Sequence, residues 1–519
     1  MKRRTFLGST VGATAAIGGL AGCKTAPGDE PIPPFELEEF ALADLADGLK
    51  SGRWTARKLV ELYLARIDAL NHKGPSLAAV IEVNPDALSI ADQLDKSSAA
   101  RGPLHGIPIL IKDNIDTADK MSTSAGSLAL EHSHPSKDSD VAQRLRAAGA
   151  VIIGKTNLSE WANIRSTHSI SGWSGRGGQT RNPYALDRNP SGSSSGSAAA
   201  AASCMCAAAI GTETDGSIVS PSSVNGLVGI KPTVGLIGGS GIIPISHSQD
   251  TAGPMARNVE DAAMLLTALA NNGKDYTHFL DAKGLKGVRL GVARKFFENN
   301  APLNKFLTNC VEQLVEAGAE IVDPADLPSH GKLGEPENTV LMYELKADMN
   351  AYLAGLPAGP GPRTLADLID FNEKNRSREM PLFDQELFIQ AQSKGPLTDD
   401  EYLQARADCL RLSRDEGIDA VISRHAVDAI VCLTNGPGWL IDDVNGDYDT
   451  GGCSTPAAVA GYPHITVPAG LFRGLPVGLS FFGGANQEGM LFRLAYGWEQ
   501  TAKARRKPAY LPRLPAAIA

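Results

Sequence analysis

The sequence predicts an α/β fold with a central, mixed and largely internal β-sheet covered by helices on both faces. Three observations predict it. Amphipathic helical stretches repeatedly run into short β-rich apolar runs. Of 519 residues, 43% are hydrophobic and 21% charged, enough apolar material for a large core and far from a disordered composition. Repeats at solenoid periods, which would signal another architecture, are absent from the sequence. Length alone suggests about three domains, but large α/β folds often run as one unit, so a single domain over 51–519 is expected.

Taken in order, Trp54–Leu70 carries Leu59, Leu62, Tyr63 and Ile67 on one helical face. Asp138–Gly149 does the same with Val141, Leu145 and Ala148, then runs into Ala150–Ile153, a buried-strand pattern closed by Gly154. Leu303–Ala317, with Phe306, Cys310 and Leu314 in register, leads into Glu320–Val322. Ala426–Leu433 and His464–Val467 also read as buried strands. Between Pro336 and Arg414 the pattern turns mainly helical, as in Leu365–Phe371 and Gln385–Gln392, and reads as an insertion.

The N-terminus has a different character. Arg3-Arg4 opens it, Gly8–Leu20 is small and apolar, and Leu20-Ala21-Gly22-Cys23 follows. This is the layout of an export signal over 1–22 rather than of a membrane span. Twin arginines point to twin-arginine export, and the last four residues resemble a lipobox that would leave Cys23 lipid-modified. Residues 23–50 then read as a tether and N-terminal segment, with Lys24–Pro34 rich in Pro, Gly and charge. The expectation is an exported bacterial envelope protein that meets the membrane only through that lipid.

Net charge is −9, and a product beginning at Cys23 would carry −12. An acidic surface argues against nucleic acid as a partner. None of the seven cysteines has zinc-type spacing to histidine, and no metal or organic cofactor is called for. Cys204 and Cys206 read as small apolar core residues in an alanine-rich run. In an exported chain the six cysteines beyond Cys23 are free to pair, in no order that sequence reveals.

Chemistry concentrates in three segments. Asn189-Pro-Ser-Gly-Ser-Ser-Ser-Gly-Ser197 has Ser or Gly at seven of nine positions, which alone would suggest a linker. Ala198–Ile210 follows at once and is a strong helix former, so the amides of the segment are expected at a helix N-terminus, suited to negative charge. Gly192–Gly196 also fits G-x-S-x-G with Ser194 as nucleophile, but the turn-like Arg181–Arg188 precedes it where that elbow needs a strand. Gly211-Thr-Glu-Thr-Asp-Gly-Ser217 offers consecutive N–H groups at Thr214, Asp215, Gly216 and Ser217, the makings of an oxyanion hole. Gly106-Ile-Pro-Ile-Leu-Ile-Lys-Asp-Asn114 ends an apolar run on Lys112. A buried lysine loses proton affinity and can act as a base near neutral pH.

These three segments resemble the amidase signature family. By position, the resemblance implies Lys112 as base, Ser193 as bridging serine and Ser217 as acyl-forming nucleophile, with a cis peptide between Gly192 and Ser193. Ser191 and Ser195 stand where the family has glycines, and Glu213 and Asp215 stand in place of its usual Asp and Gly. Neither departure removes a catalytic group. Lys231–Leu236, Ser248–Arg257, Ala460–Pro463 and Leu475–Leu479 extend the likeness toward the peptide amidase branch, over about Thr55 to Lys503.

The resemblance implies hydrolysis of carboxamide C–N bonds, with C-terminal peptide amides or small amides as substrates. Trp161 and Asn163 are candidate pocket walls, with core packing as the alternative for both. A broad amidase or aryl acylamidase is the rival enzyme reading. A tRNA-dependent amidotransferase subunit is opposed by export. A non-catalytic peptide-binding lipoprotein is the reading from another class, opposed by the three filled catalytic positions.

Overall fold

The computed structural model describes residues 32–97, 102–359 and 361–515. The stretch 1–22 read as an export signal, Cys23 and most of the stretch read as a tether lie outside these. Leu37, Leu42 and Leu45 are fully buried in the main core, so the packed body takes in chain ahead of residue 51.

Among the described residues thirteen strands form: β1 (Val80–Val83), β2 (Pro108–Lys112), β3 (Val151–Thr156), β4 (Trp173–Ser174), β5 (Gly178–Gln179), β6 (Ala208–Glu213), β7 (Val228–Lys231), β8 (Thr251–Ala256), β9 (Arg289–Val292), β10 (Glu320–Val322), β11 (Ala429–Leu433), β12 (His464–Phe472) and β13 (Leu475–Phe482). β4 and β5 pair alone. The others make one eleven-stranded sheet in the order β1-β3-β2-β6-β8-β7-β12-β13-β11-β9-β10. Its centre mixes parallel β3-β2-β6 with antiparallel β6-β8-β7-β12-β13-β11, and β11-β9-β10 is parallel again. Every residue of β2, β3, β6, β7, β8, β11 and β13 is buried. Helices cover both faces, which is why these strands read as continuous apolar runs rather than alternating ones.

The expected helices form where local signals place them. Ala56–Ile67 starts on Thr55, whose hydroxyl accepts the Lys58 N–H at 3.1 Å, and buries Leu59, Tyr63 and Ile67. Asp140–Ala147 is capped by Ser139 and delivers the chain to β3. Ala301–Glu316 precedes β10.

One expectation needs correcting. The alanine-rich run does not continue as one helix from Ala198 to Ile210. The helix spans Ser195–Ala202, the chain turns, and Ala208–Glu213 is β6 in the middle of the sheet. Alanine propensity is a weak preference, and ladder pairing with β2 and β8 on either side overrides it. Small side chains let the helix lie close to the strands beneath. At Gly196 a Cβ would come within 2.2 Å of the Ala79 carbonyl oxygen and 2.4 Å of that of Asn157, so only glycine fits.

Between β10 and β11 the chain is helical, with Gly334–Gly355, Leu365–Lys374, Glu386–Ser393 and Asp400–Leu410 as the longer pieces. Met342, Leu345, Met349 and Phe388 from these helices build a second apolar cluster with Ala125, Leu158 and Trp161. The helices therefore cover loops at one end of the sheet. All six described cysteines are free thiols and buried, Cys204 and Cys206 among them.

Candidate active site

Parallel pairing sets the site. β2 and β6 align Ile111 with Ile210, so both strands release their next residues at the same end of the sheet. Ligand sites in α/β sheets collect at the carboxyl ends of strands for this reason. Lys112 closes β2, Thr212 and Glu213 close β6, and the serine segment ahead of the Ser195–Ala202 helix lies against both.

Lys112 is fully buried. Its Nζ lies 2.7 Å from Ser193 Oγ, 2.9 Å from Thr212 Oγ1 and 3.3 Å from the Thr212 carbonyl oxygen. Desolvation lowers its affinity for the proton to about 7, with the more distant carboxylates of Asp250 and Glu213 pulling the other way. A neutral amine has two N–H bonds and one lone pair. With the amine neutral and both N–H groups given to Thr212, the lone pair would face the Ser193 hydroxyl. Asn114 Nδ2 also donates to Thr212 Oγ1, at 3.0 Å, and fixes that side chain.

The Gly192–Ser193 peptide is cis, as the resemblance implies. The Ser193 carbonyl accepts the Ser159 N–H at 3.1 Å, and its side chain is fully buried. Ser194, the alternative nucleophile, is occupied instead. Its Oγ donates to the Thr212 carbonyl at 3.0 Å and accepts the Thr212 N–H at 3.2 Å, stitching the segment to β6.

Ser217 stands beside them, its carbonyl accepting the Ser194 N–H at 3.2 Å. The residue is 9% exposed, and its side chain, among the described residues, makes no hydrogen bond. The structure thus joins Lys112 to Ser193 directly, and holds Ser217 next to them with its hydroxyl unengaged.

The turn before Ser217 is held from outside while its amides stay free. The Glu213 carboxylate accepts the N–H groups of Ile218 and Val219 at 2.7 and 3.0 Å, which folds the chain back. Gly216 sits at φ +76°, and a Cβ there would meet Ser454 Oγ at 2.9 Å. Thr214 Oγ1 donates to Asp250 at 2.6 Å, and Thr455 Oγ1 donates to Asp215 at 2.6 Å. Burial raises the Asp215 carboxyl, against the hydrogen bonds from Ser454 and Thr455. Among the described residues, the N–H groups of Thr214, Asp215, Gly216 and Ser217 have no acceptor. Consecutive free donors in a rigid turn are suited to developing negative charge.

Trp161 and Asn163 sit where three consecutive residues take left-handed φ values, Trp161 at 50°, Ala162 at 54° and Asn163 at 73°. Trp161 is 2% exposed and packs edge-on against Phe388 with ring centroids 5.8 Å apart. Asn163 is half-buried and donates to Ser171 Oγ at 3.1 Å. Trp161 is thus part of the covering cluster, and Asn163 braces the loop before the serine segment. The sequence reading missed Thr212, which bonds the lysine, and Asn114, which bonds Thr212. Their signal was present, since they are the Asn of Lys-Asp-Asn114 and the Thr of Gly211-Thr-Glu.

A buried amine bonded to a serine hydroxyl, beside a second serine and four amides without an acceptor among the described residues, is an arrangement suited to a hydrolytic enzyme. The relatives sharpen that class. The family model "Amidase" matches residues 58–492. A probable amidase of Arabidopsis thaliana is 39% identical over 92% of this chain and 93% of its own length. The native peptide amidase of Stenotrophomonas maltophilia is 48% identical, with a TM-score of 0.88 over 92% of this chain and 100% of that one. A peptide amidase bound to the competitive inhibitor chymostatin is 49% identical, with a TM-score of 0.88 over 91% and 100%. The chain belongs to the amidase signature family, enzymes that hydrolyse amides.

Proposed function

We propose that the protein removes the terminal amide from peptide amides, releasing ammonia, through an acyl-enzyme on Ser217. The observation that carries this reading is the 2.7 Å contact between Lys112 Nζ and Ser193 Oγ in a fully buried site. An amide is a poor electrophile with a poor leaving group, so a site must activate a nucleophile, hold an oxyanion and protonate the amine. Neutral Lys112 takes the proton of Ser193 as Ser193 takes that of Ser217, and Ser217 Oγ bonds to the carbonyl carbon. The C=O electron pair moves onto oxygen, held by the amides of Thr214–Ser217. When it returns, the C–N bond breaks and the proton travels back through Ser193 to nitrogen. Water repeats the sequence on the acyl-serine and frees the acid.

The neutral amine is the working form, so kcat/KM should rise with pH through about 7 and level off above it. A profile that stays flat from about pH 6 to about pH 8 would remove Lys112 as the base.

Likeness to peptide amidases over nearly the whole chain supports peptide amides as substrates. A broader amidase reading draws on the Arabidopsis relative, named only as a probable amidase. Ammonia release from a dipeptide amide and from a simple aryl amide separates the two. The first should be hydrolysed with a kcat/KM about tenfold or more higher, and the reverse order would assign the broad activity.

A further inference from the structure

We infer that Gln249 is a positioning residue, through which the helix Gly334–Gly355 holds the free amides of Thr214–Ser217 at their working angle. Gln249 is 1% exposed, and its Nε2 donates both to the Thr214 carbonyl at 3.2 Å and to Glu337 Oε1 at 2.9 Å. It is the hinge-pin between the turn and the covering helix. The inference rests on the proposed acyl-enzyme reading, in which those amides hold the oxyanion.

The covering helix is built to grip this loop. Glu337, Glu344 and Asp348 stand seven and eleven residues apart, about two and three helical turns, and so share one face. Each takes hydrogen bonds from successive residues of one short segment. Asp348 Oδ2 accepts the N–H and Nδ1 of His247, both at 2.9 Å. Glu344 accepts the Ser246 hydroxyl, the Ser248 N–H at 3.1 Å and the Ser248 hydroxyl at 2.6 Å, and Tyr402 adds a fourth bond at 2.7 Å. Glu337 takes Gln249. Atoms of His247, Glu344 and Asp348 lie within 4.8 Å of one another, close enough to suggest a cation site. The saturated Glu344 carboxylate argues for a clamp instead.

The next residue completes the grip. Asp250 accepts the N–H groups of Ile245 and Ser246 at 2.8 and 3.0 Å, and with its other oxygen the Thr214 hydroxyl at 2.6 Å. Thr214 is therefore held by its hydroxyl and its carbonyl, and its N–H is the first of the four free donors. Donors of this kind contribute when they are aimed at the oxyanion rather than at the ground-state carbonyl, and a small misplacement is costly.

Gln249→Met keeps the side chain's length and removes its donor. The expected result is a kcat lower by about 10- to 100-fold on a dipeptide amide and on the matching activated ester alike, with KM within about twofold on both. An oxyanion forms on both substrates, so the two losses should match. An unchanged kcat, an effect confined to KM, or a loss much larger on the amide would each overturn the inference. Should that variant fail to fold, Glu337→Ala leaves Gln249 in place without its anchor, and the same matched fall in kcat, smaller in size, is required. Labelling of wild-type Ser217 by a fluorophosphonate separates the two readings. Absence of label defeats the acyl-enzyme itself, whereas normal labelling with an unaffected Gln249 variant defeats only the positioning role.

Discussion

Ser217→Ala is expected to abolish hydrolysis of both amides and activated esters, by roughly 10⁴-fold or more. Two hydroxyls compete for the role of nucleophile, and their surroundings decide between them. Ser194 Oγ is spent on both backbone groups of Thr212, so its attack would break a connection between the helix segment and β6. Ser217 Oγ is unengaged, beside amides that have no acceptor among the described residues. Removing it deletes the unengaged hydroxyl beside those amides. The residual rate should be the small one that binding and oxyanion donors supply without covalent chemistry. A fluorophosphonate should label the wild-type peptide containing Ser217 and leave the variant unlabelled. Label recovered on Ser193 or Ser194 in the variant would move the nucleophile.

Lys112→Ala should cost about 10³-fold on amides, close to 4 kcal/mol of barrier, and far less on an activated ester. The asymmetry follows from the two jobs given to the lysine. It accepts the serine proton, and through Ser193 it returns that proton to the departing nitrogen. An activated ester leaves as a weak base and needs no such return, so only the first job is lost. Equal losses on both substrates would make Lys112 structural. That outcome is a real alternative, because Lys112 also bonds Thr212 at two atoms and so braces the end of β6. Circular dichroism and thermal unfolding of the variant separate collapse of the site from loss of the base.

Local patterns made much of this legible. The apolar run Ile109-Leu110-Ile111 pointed to burial of the lysine at its end, and the run is β2, buried along its whole length. The apolar faces of Trp54–Leu70 and Asp138–Gly149 announced helices, and the structure starts these on the hydroxyls of Thr55 and Ser139. The alanine-rich run was misread because residues 203–207 carry no strong turn signal. Only the pairing partners of β6, distant in sequence, turn its second half into a strand. The grip of Gln249 on Thr214 was invisible for the same reason. It spans 35 residues, and its anchor Glu337 lies 88 residues further on, in helices whose pattern reports an apolar face but not what that face covers.

By itself the sequence determined the α/β class, the three chemical segments and the residues that can lose or take a proton, because hydrophobic period and side-chain chemistry are local properties. Only the tertiary structure decided which serine is tied up and which is free, which amides lack acceptors, and how far burial lowers Lys112. Those depend on what surrounds each group, and here the surroundings come from strands and helices far apart along the chain.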